Sequence, residues 1–294
     1  MTLREALTSA TRQLEAHPHL CVDAARDAAH LLRHAMGISH AALLADPGRV
    51  LTADQQAAYD AMILRRAANE PIQYITGEQE FYGLLLQITP AVLVPRPETE
   101  LLVEAVLAEV TQAELRPALR ILDVGTGSGA IAIALAHHLP RAQITAVDLS
   151  AAALEVAASN AAYHALAGRI HFIESDLLEA LASGEASWDV IVSNPPYVPT
   201  EDRAGLHPQV RDYEPGVALF AGADGLDIYR RLIPQARAAL LPDGLLALEI
   251  GQGQKEAVAA LLSGWNELRF VDDLQQIARI ALARRPTHVA KNAP

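Results

Sequence analysis

Asn194-Pro195-Pro196-Tyr197 is a stiff turn with a polar head and an aromatic tail. Each proline fixes its own φ, lacks an N–H, and holds the preceding residue extended. The turn thus presents oxygens with no competing backbone donor at the two prolines. The Asn194 side-chain oxygen and the Pro195 carbonyl can accept both hydrogens of one planar NH2 group, and Tyr197 supplies a flat apolar wall beside it. Alone, these four residues could be a proline turn closing a strand. Their place after the apolar run Trp188–Ser193 gives them more specific meaning.

A second motif is Asp123-Val124-Gly125-Thr126-Gly127-Ser128-Gly129-Ala130. Three glycines in five residues let the backbone bend tightly and approach a ligand closely beside a helix start. Asp148 ends the next apolar run, roughly 20 residues on, where a carboxylate can take ribose hydroxyls. Gly125, Gly127 and Ala130 also satisfy the dinucleotide-loop spacing, so loop and carboxylate suit a nicotinamide cofactor and S-adenosylmethionine alike. Ser175-Asp176-Leu177 closes a third apolar run. There a carboxylate can accept from an adenine amino group and Leu177 can face the base, although a lone Asp at a strand end is more often a helix cap, so the signal is weak on its own.

These residues need a scaffold that brings strand ends together. From about residue 119, strands fit Arg120–Val124, Gln143–Val147, Ile170–Ile173, Trp188–Ser193 and Leu245–Ile250. Helices fit Ala130–His138, Ala151–His164, Leu226–Leu240 and Gln254–Leu262. Such alternation predicts an α/β domain over 98–285, a Rossmann-like, mostly parallel sheet with helices on both faces, and ligands at the carboxyl ends of its strands. Residues 1–71 differ, being rich in Ala, Leu and His. Thr2 with Glu5, and Thr52 with Gln55, fit capping boxes. Leu3, Leu7, Ala10 and Leu14 share one helix face, as do Ala28, Leu31, Leu32 and Ala35. A small helical bundle follows from this pattern. Residues 72–97 read as a hairpin linker turned at Gly77 and Gly83, with Pro95 and Pro97 stiffening the approach to a helix near Glu98. Residues 286–294 read as a flexible tail.

The chain has 294 residues, 51% hydrophobic and 20% charged, with a net charge of −12. That is ample for packed cores and excludes a disordered or fibrous protein. The negative balance opposes direct binding to a nucleic-acid backbone. Cys21 is the single cysteine, so no internal disulfide and no Cys-x-x-Cys zinc site can form. His30 and His34 could meet on one helix face, but no third ligand follows at metal-site spacing, and His17, His19 and His40 read as ordinary surface histidines. The first ten residues lack a secretory pattern and no apolar run reaches the roughly 18 residues of a membrane span, so a cytoplasmic location is expected.

The glycine loop together with Asn194–Tyr197 resembles the class I S-adenosylmethionine-dependent methyltransferases that modify planar amino groups, among them adenine-N6 and protein glutamine-N5 enzymes. Gln73-Tyr74-Ile75-Thr76-Gly77-Glu78-Gln79-Glu80-Phe81-Tyr82-Gly83, Val94–Glu100, Glu214-Pro215, Leu219–Leu226 and Asp273-Leu274 with Arg279 narrow this. They resemble the glutamine methyltransferases of peptide chain release factors, over nearly the whole chain. The resemblance implies S-adenosylmethionine as cofactor, with Gly125, Thr126, Gly127, Ser128 and Gly129 cradling its methionine part. Asp148 would hold the ribose, and Asp176 and Leu177 would border the adenine. Asn194, Pro195, Pro196 and Tyr197 would bind a substrate glutamine from the Gly-Gly-Gln loop of a release factor, with Asn194 also near the cofactor. Val94–Glu100 would cover the site, the helical domain would help hold the release factor, and the enzyme would act as a monomer without metal. Gly251-Gln252-Gly253-Gln254 departs from some members, which carry bulkier residues there.

Three other readings compete, one of them a non-catalytic binding protein with a relic pocket, which the intact cofactor set and the intact turn disfavour. An adenine-N6 nucleic-acid methyltransferase would use the same turn, but the net charge and the lack of a basic recognition domain disfavour it. A nicotinamide oxidoreductase would leave Asn194–Tyr197 idle, and the sequence offers no Tyr-x-x-x-Lys proton donor.

Overall fold

The computed structural model describes residues 1–111, 119–181 and 187–287. By internal contacts it divides into two units, Met1–Glu78 with Gly205–Glu214, and Gln79–Ala204 with the residues from Pro215 onward.

The first unit is helical because its caps and stripes dictate it. Helix α1 (Leu3–Glu15) starts at Thr2, whose hydroxyl accepts from the Glu5 N–H while the Glu5 carboxylate accepts from the Thr2 N–H. Helix α2 (Ala24–Met36) ends at left-handed Gly37. Helix α3 (His40–Ala45) is short, and α4 (Ala53–Ala67) repeats the capping pair with Thr52 and Gln55. Leu3, Ala10, Leu14, Ala28, Leu31 and Leu32 are buried in one core, with Leu7 and Ala35 at its margin. Arg66 Nε donates to Asp27 Oδ2 at 2.7 Å, both side chains buried, so α4 is tied to α2 by an ion pair whose members cannot be removed singly without stranding a charge.

The span read as a hairpin begins instead with a short helix, α5 (Ile72–Thr76), which Gly77 ends in the left-handed conformation. The hairpin proper is β1 (Glu78–Phe81) and β2 (Leu84–Gln87). It turns on Tyr82 and Gly83, with φ of 51° and 75°, the paired positive values that suit a two-residue turn. Helix α6 (Pro97–Thr111) starts one residue before the expected Glu98.

The α/β unit then runs β3 (Arg120–Val124), α7 (Ala130–His138), β4 (Gln143–Asp148), α8 (Ala151–Tyr163), β5 (Ile170–Glu174) and β6 (Trp188–Ser193). After α9 (Pro208–Arg211) come α10 (Asp227–Ala239), β7 (Leu240–Glu249), α11 (Lys255–Leu261), β8 (Asn266–Asp272) and β9 (Ala278–Arg284). The sheet order is β5-β4-β3-β6-β7-β9-β8. The strands from β5 to β7 are parallel, while β9 pairs antiparallel with both β7 and β8. The sequence reading contained the five parallel strands but not this antiparallel edge. Helix α7 is buried over Ala130–Ala136, and its nearly all-apolar sequence fits a helix covered on several sides.

Segment Gly205–Glu214, which contains α9, belongs to the helical unit: the Tyr213 hydroxyl donates to the Ala68 carbonyl at 2.8 Å. Among the described residues no helix is long and apolar enough to cross a membrane. Of the tail expected over 286–294, residues 288–294 lie outside the described residues.

Candidate active site

Strand register builds the site. Val124 is in register with Val147 on β4 and with Ser193 on β6, and Ser193 is in register with Leu248 on β7. The next residue on each strand is therefore Gly125, Asp148, Asn194 or Glu249. Four chemically distinct groups stand side by side at the carboxyl edge, where the chain order of the strands reverses and an open α/β sheet takes its ligand.

The glycine loop divides its labour. Gly125 and Gly127 have φ of +74° and +55°, and a Cβ on either would meet nothing within 4 Å, because both line the cleft. Gly129 faces the interior: a Cβ there would come within 3.0 Å of Ile133 and 3.1 Å of Ala157, so its bare backbone lets α7 and α8 pack closely. Thr126 and Ser128 are buried and shape the loop rather than face the cleft. The Thr126 hydroxyl donates to Asp123 Oδ2 at 2.7 Å, and the Ser128 carbonyl accepts from Asn160 Nδ2 at 2.9 Å. Asn160 also exchanges two hydrogen bonds with the Gln87 backbone, which fastens β2 to α8 beside the loop. Asp148 accepts from the N–H groups of Gly127 (2.8 Å) and Ser150 (2.9 Å). Burial raises its pKa, and these backbone donors oppose the rise. Burial also pushes the Asp123 carboxyl up to about 7, against the pull of Thr126 and the Ala132 N–H, and Asp123 Oδ1 has no protein partner.

The Asn194 turn is held on two sides. Asn194 Nδ2 donates to the Thr99 hydroxyl oxygen at 3.0 Å, and the Thr99 hydroxyl donates to Glu249 Oε2 at 2.7 Å. The Tyr197 hydroxyl donates to Glu249 Oε1 at 3.2 Å. From below, Gln254 Nε2 donates to the Tyr197 carbonyl at 2.9 Å while its Oε1 accepts from the Gly251 N–H at 3.0 Å. Asn194 and Pro196 line the cleft, Pro195 is buried, and the Tyr197 ring packs largely against the sheet core with its hydroxyl committed to Glu249. Burial raises the Tyr197 pKa, and the neighbouring Glu249 charge adds to the rise.

The cleft encloses about 900 Å³ including its open mouth. Gly125, Gly127, Asp148, Asp176, Leu177 and Asn194 all border it. Asp176 Oδ2 pairs with Arg231 at 2.7 Å, and Leu177 stands at φ 52°. Leu149 and Val217 also border it and are 56% and 58% exposed, so the cleft wall carries open apolar surface. Bare backbone, a half-buried carboxylate and exposed aliphatic walls fit the methionine, ribose and adenine parts of S-adenosylmethionine in turn. Thr99 lies in the Val94–Glu100 segment expected to cover the site, but its contact with Asn194 was missed from the sequence, as were Glu249 and Gln254. Glu249, a carboxylate next to the end of the apolar strand predicted over Leu245–Ile250, carried a readable signal; Gln254 carried none. Among the described residues no group of three or more His, Cys, Asp or Glu could hold a metal, and His34 instead lies 3.5 Å from Glu78.

A glycine-lined cleft of this chemistry, at the switch point of a Rossmann-like sheet with an antiparallel edge, defines an S-adenosylmethionine-dependent methyltransferase. Residues 98–206 match the family model of the methyltransferase small domain, and residues 5–77 match that of the PrmC N-terminal domain. A release factor glutamine methyltransferase of Koribacter versatilis is 45% identical over 98% of this chain and 100% of its own length. One of Deinococcus radiodurans is 43% identical over 97% and 99%. This chain belongs to the release factor glutamine methyltransferase family. In fold it is similar to the hMettl16 catalytic domain, solved with an RNA hairpin, at a TM-score of 0.56 and 16% identity over 84% of this chain and 87% of that one.

Proposed function

We propose that this enzyme methylates the side-chain amide nitrogen, N5, of the glutamine in the Gly-Gly-Gln loop of peptide chain release factors. The observation that carries the reading is the Asn194 amide: it stands at the cleft with Nδ2 bound to Thr99, which leaves Oδ1 to accept from an incoming NH2 group. The names of the relatives supply the substrate class.

Asp148 would hold the ribose, and Gly125 and Gly127 would let the methionine part lie against bare backbone, with Thr126, Ser128 and Gly129 fixing the loop's shape. Leu177, with Asp176 beside it, would border the adenine. Bound S-adenosylmethionine supplies a methyl group already activated by its sulfonium. The protein's task is then placement, which can contribute several kcal/mol. An amide nitrogen is a poor nucleophile because its lone pair is shared with the carbonyl. Two oxygens on its N–H bonds, Asn194 Oδ1 and the Pro195 carbonyl, would stabilise the positive charge that builds there during attack. The same oxygens would reject glutamate, which has no hydrogen to give. Sites built on such pairing discriminate by about 10⁴-fold or more. The methylated nitrogen is strongly acidic, so its proton can pass to water without a dedicated base.

Incubation of unmodified release factor with the enzyme and S-adenosylmethionine, followed by mass spectrometry, should show one added methyl on that glutamine. Transfer of labelled methyl to DNA or RNA, with release factor untouched, would overturn the reading in favour of an adenine substrate.

A further inference from the structure

Asn194 can serve only in one orientation. Its amide oxygen and nitrogen are nearly equal in size, and rotating the group by half a turn exchanges them. With Oδ1 toward the cleft it accepts from a substrate NH2. With Nδ2 there, two sets of donors would face each other and binding would fail. Something must choose.

The choice lies outside the cleft, in a chain of hydrogen bonds across three elements. Thr99 is at the start of α6, Asn194 follows β6, and Glu249 ends β7. Thr99 and Glu249 are 4% and 1% exposed. The Thr99 hydroxyl has one hydrogen, and at 2.7 Å it is given to Glu249 Oε2. Its oxygen therefore offers only lone pairs toward Asn194, and only an N–H can approach it, as Nδ2 does at 3.0 Å. An ionised carboxylate is an acceptor only, so Glu249 forces both Thr99 and Tyr197 to donate to it. Among the described residues no Lys or Arg forms an ion pair with Glu249; its hydrogen-bond partners are hydroxyls. A buried carboxylate satisfied by two hydroxyls is costly to keep, and one of those hydroxyls belongs to the substrate-binding turn while the other contacts its first residue.

We infer that Thr99 and Glu249 are positioning residues for methyl transfer: the Glu249 carboxylate, acting through the Thr99 hydroxyl, fixes which end of the Asn194 amide faces the cleft. This rests on the reading of Asn194 as the acceptor of the substrate amide. Protonated Glu249 would become a donor as well as an acceptor. Thr99 could then accept from it, turn its own hydrogen toward Asn194, and release the amide to flip. Burial holds Glu249 up at about 7, opposed by its bonds from Thr99 and Tyr197; Glu98 raises it further and Arg279, itself paired with Asp273, lowers it. Tyr229 completes the surroundings, donating to the Glu249 backbone carbonyl. The productive orientation is thus favoured above that pH and lost below it.

The test uses the full-length enzyme isotope-labelled on asparagine alone, of which there are five, with the Asn194 side-chain signal assigned by its loss in Asn194→Asp. In wild-type protein this NH2 signal should titrate with a midpoint near 7; in Glu249→Gln the titration should vanish. Thr99→Val should move the signal to the position of an unbonded amide, and Thr99→Ser should restore it. In methylation assays Thr99→Val should lower kcat/KM for release factor by about tenfold, the worth of one hydrogen bond, with cofactor affinity unchanged. Thr99→Ser should recover it, and Glu249→Gln should lose the acid limb of the pH profile. An Asn194 signal indifferent to pH in wild-type protein, or to Thr99→Val, overturns the inference. Should Thr99→Val not fold, the wild-type titration and the Glu249→Gln comparison decide alone. If wild-type enzyme leaves release factor unmethylated while the Asn194 signal behaves as described, the substrate reading falls and the orienting chain stands.

Discussion

Gly225→Ala should disable the enzyme without touching the cleft. Gly225 lies in the loop before α10 and backs onto the Asn194 turn. A Cβ built there falls 2.2 Å from the Tyr197 carbonyl oxygen and 2.8 Å from Gln254 Nε2. Ordinary non-bonded contact needs about 3.5 Å, and even a tight one about 3.2 Å, so the turn must retreat by about 1 Å or the loop must open. Misplacement of about 1 Å at a reacting centre costs roughly 10²-fold in rate. Alanine also pays about 1–2 kcal/mol for the left-handed φ of +73°. That second cost can be subtracted. Gly83 has φ of +75° with nothing within 4 Å of a Cβ, so Gly83→Ala carries the same backbone strain without the collision. Both variants should melt at lower temperature than wild type, measured by calorimetry. Only Gly225→Ala should lose kcat for release factor methylation, by roughly 10²-fold, with S-adenosylmethionine affinity little changed. Equal turnover in the two variants would refute the claim that the turn's position, rather than general stability, sets the rate.

Asn194→Ala should abolish methyl transfer in a labelled-methyl assay while retaining cofactor binding; retained turnover would count against its assigned role. Asp148→Ala should weaken cofactor binding by roughly 10–100-fold, as expected for lost bonds to a charged group, and change substrate affinity far less, which titration calorimetry separates. Asp123 has a folded pKa of about 7 against an ordinary value of 3.8, so its protonated form favours folding. That contribution is fully present below the ordinary value and is lost as pH rises through about 7. The melting temperature of cofactor-free protein should therefore fall across that window, and Asp123→Asn, which keeps an acceptor for Thr126 and Ala132 but carries no charge, should flatten the fall.

Much of this was legible because it is local. Capping boxes at Thr2 and Thr52, the left-handed glycines and the apolar runs of β3 to β6 are short-range patterns, and the helices and strands formed where those patterns lay. The edge strands β8 and β9 were not legible. Asn266–Asp272 alternates weakly, with charged residues at Glu267 and Arg269, and becomes a strand because β9 pairs with it. Helix α5 was hidden for a similar reason: five residues make no period, and only its ending at Gly77 marks it. The roles of the glycine-loop residues were legible as a group and not singly. Sequence alone does not tell that Gly125 and Gly127 face the cleft while Thr126, Ser128 and Gly129 brace the loop from within.

What the sequence withheld at the site was register. It placed Gly125, Asp148 and Asn194 at strand ends, but strand ends meet only if the pairings align, and a slip of one residue would turn every side chain on that strand to the opposite face. With Val124, Val147, Ser193 and Leu248 in one row, the residue after Leu248 comes beside the residue after Ser193. Glu249 thereby comes next to Asn194, though 55 positions separate them in the chain. Thr99 enters from a helix outside that row and closes the gap between the two. Selecting an uncharged amide over a carboxylate requires an acceptor that cannot become a donor. An asparagine meets that requirement only when its other end is bound; if Asn194 accepts the substrate amide as proposed, the hydrogen bond to Thr99 belongs to the specificity of the site as much as Asn194 does.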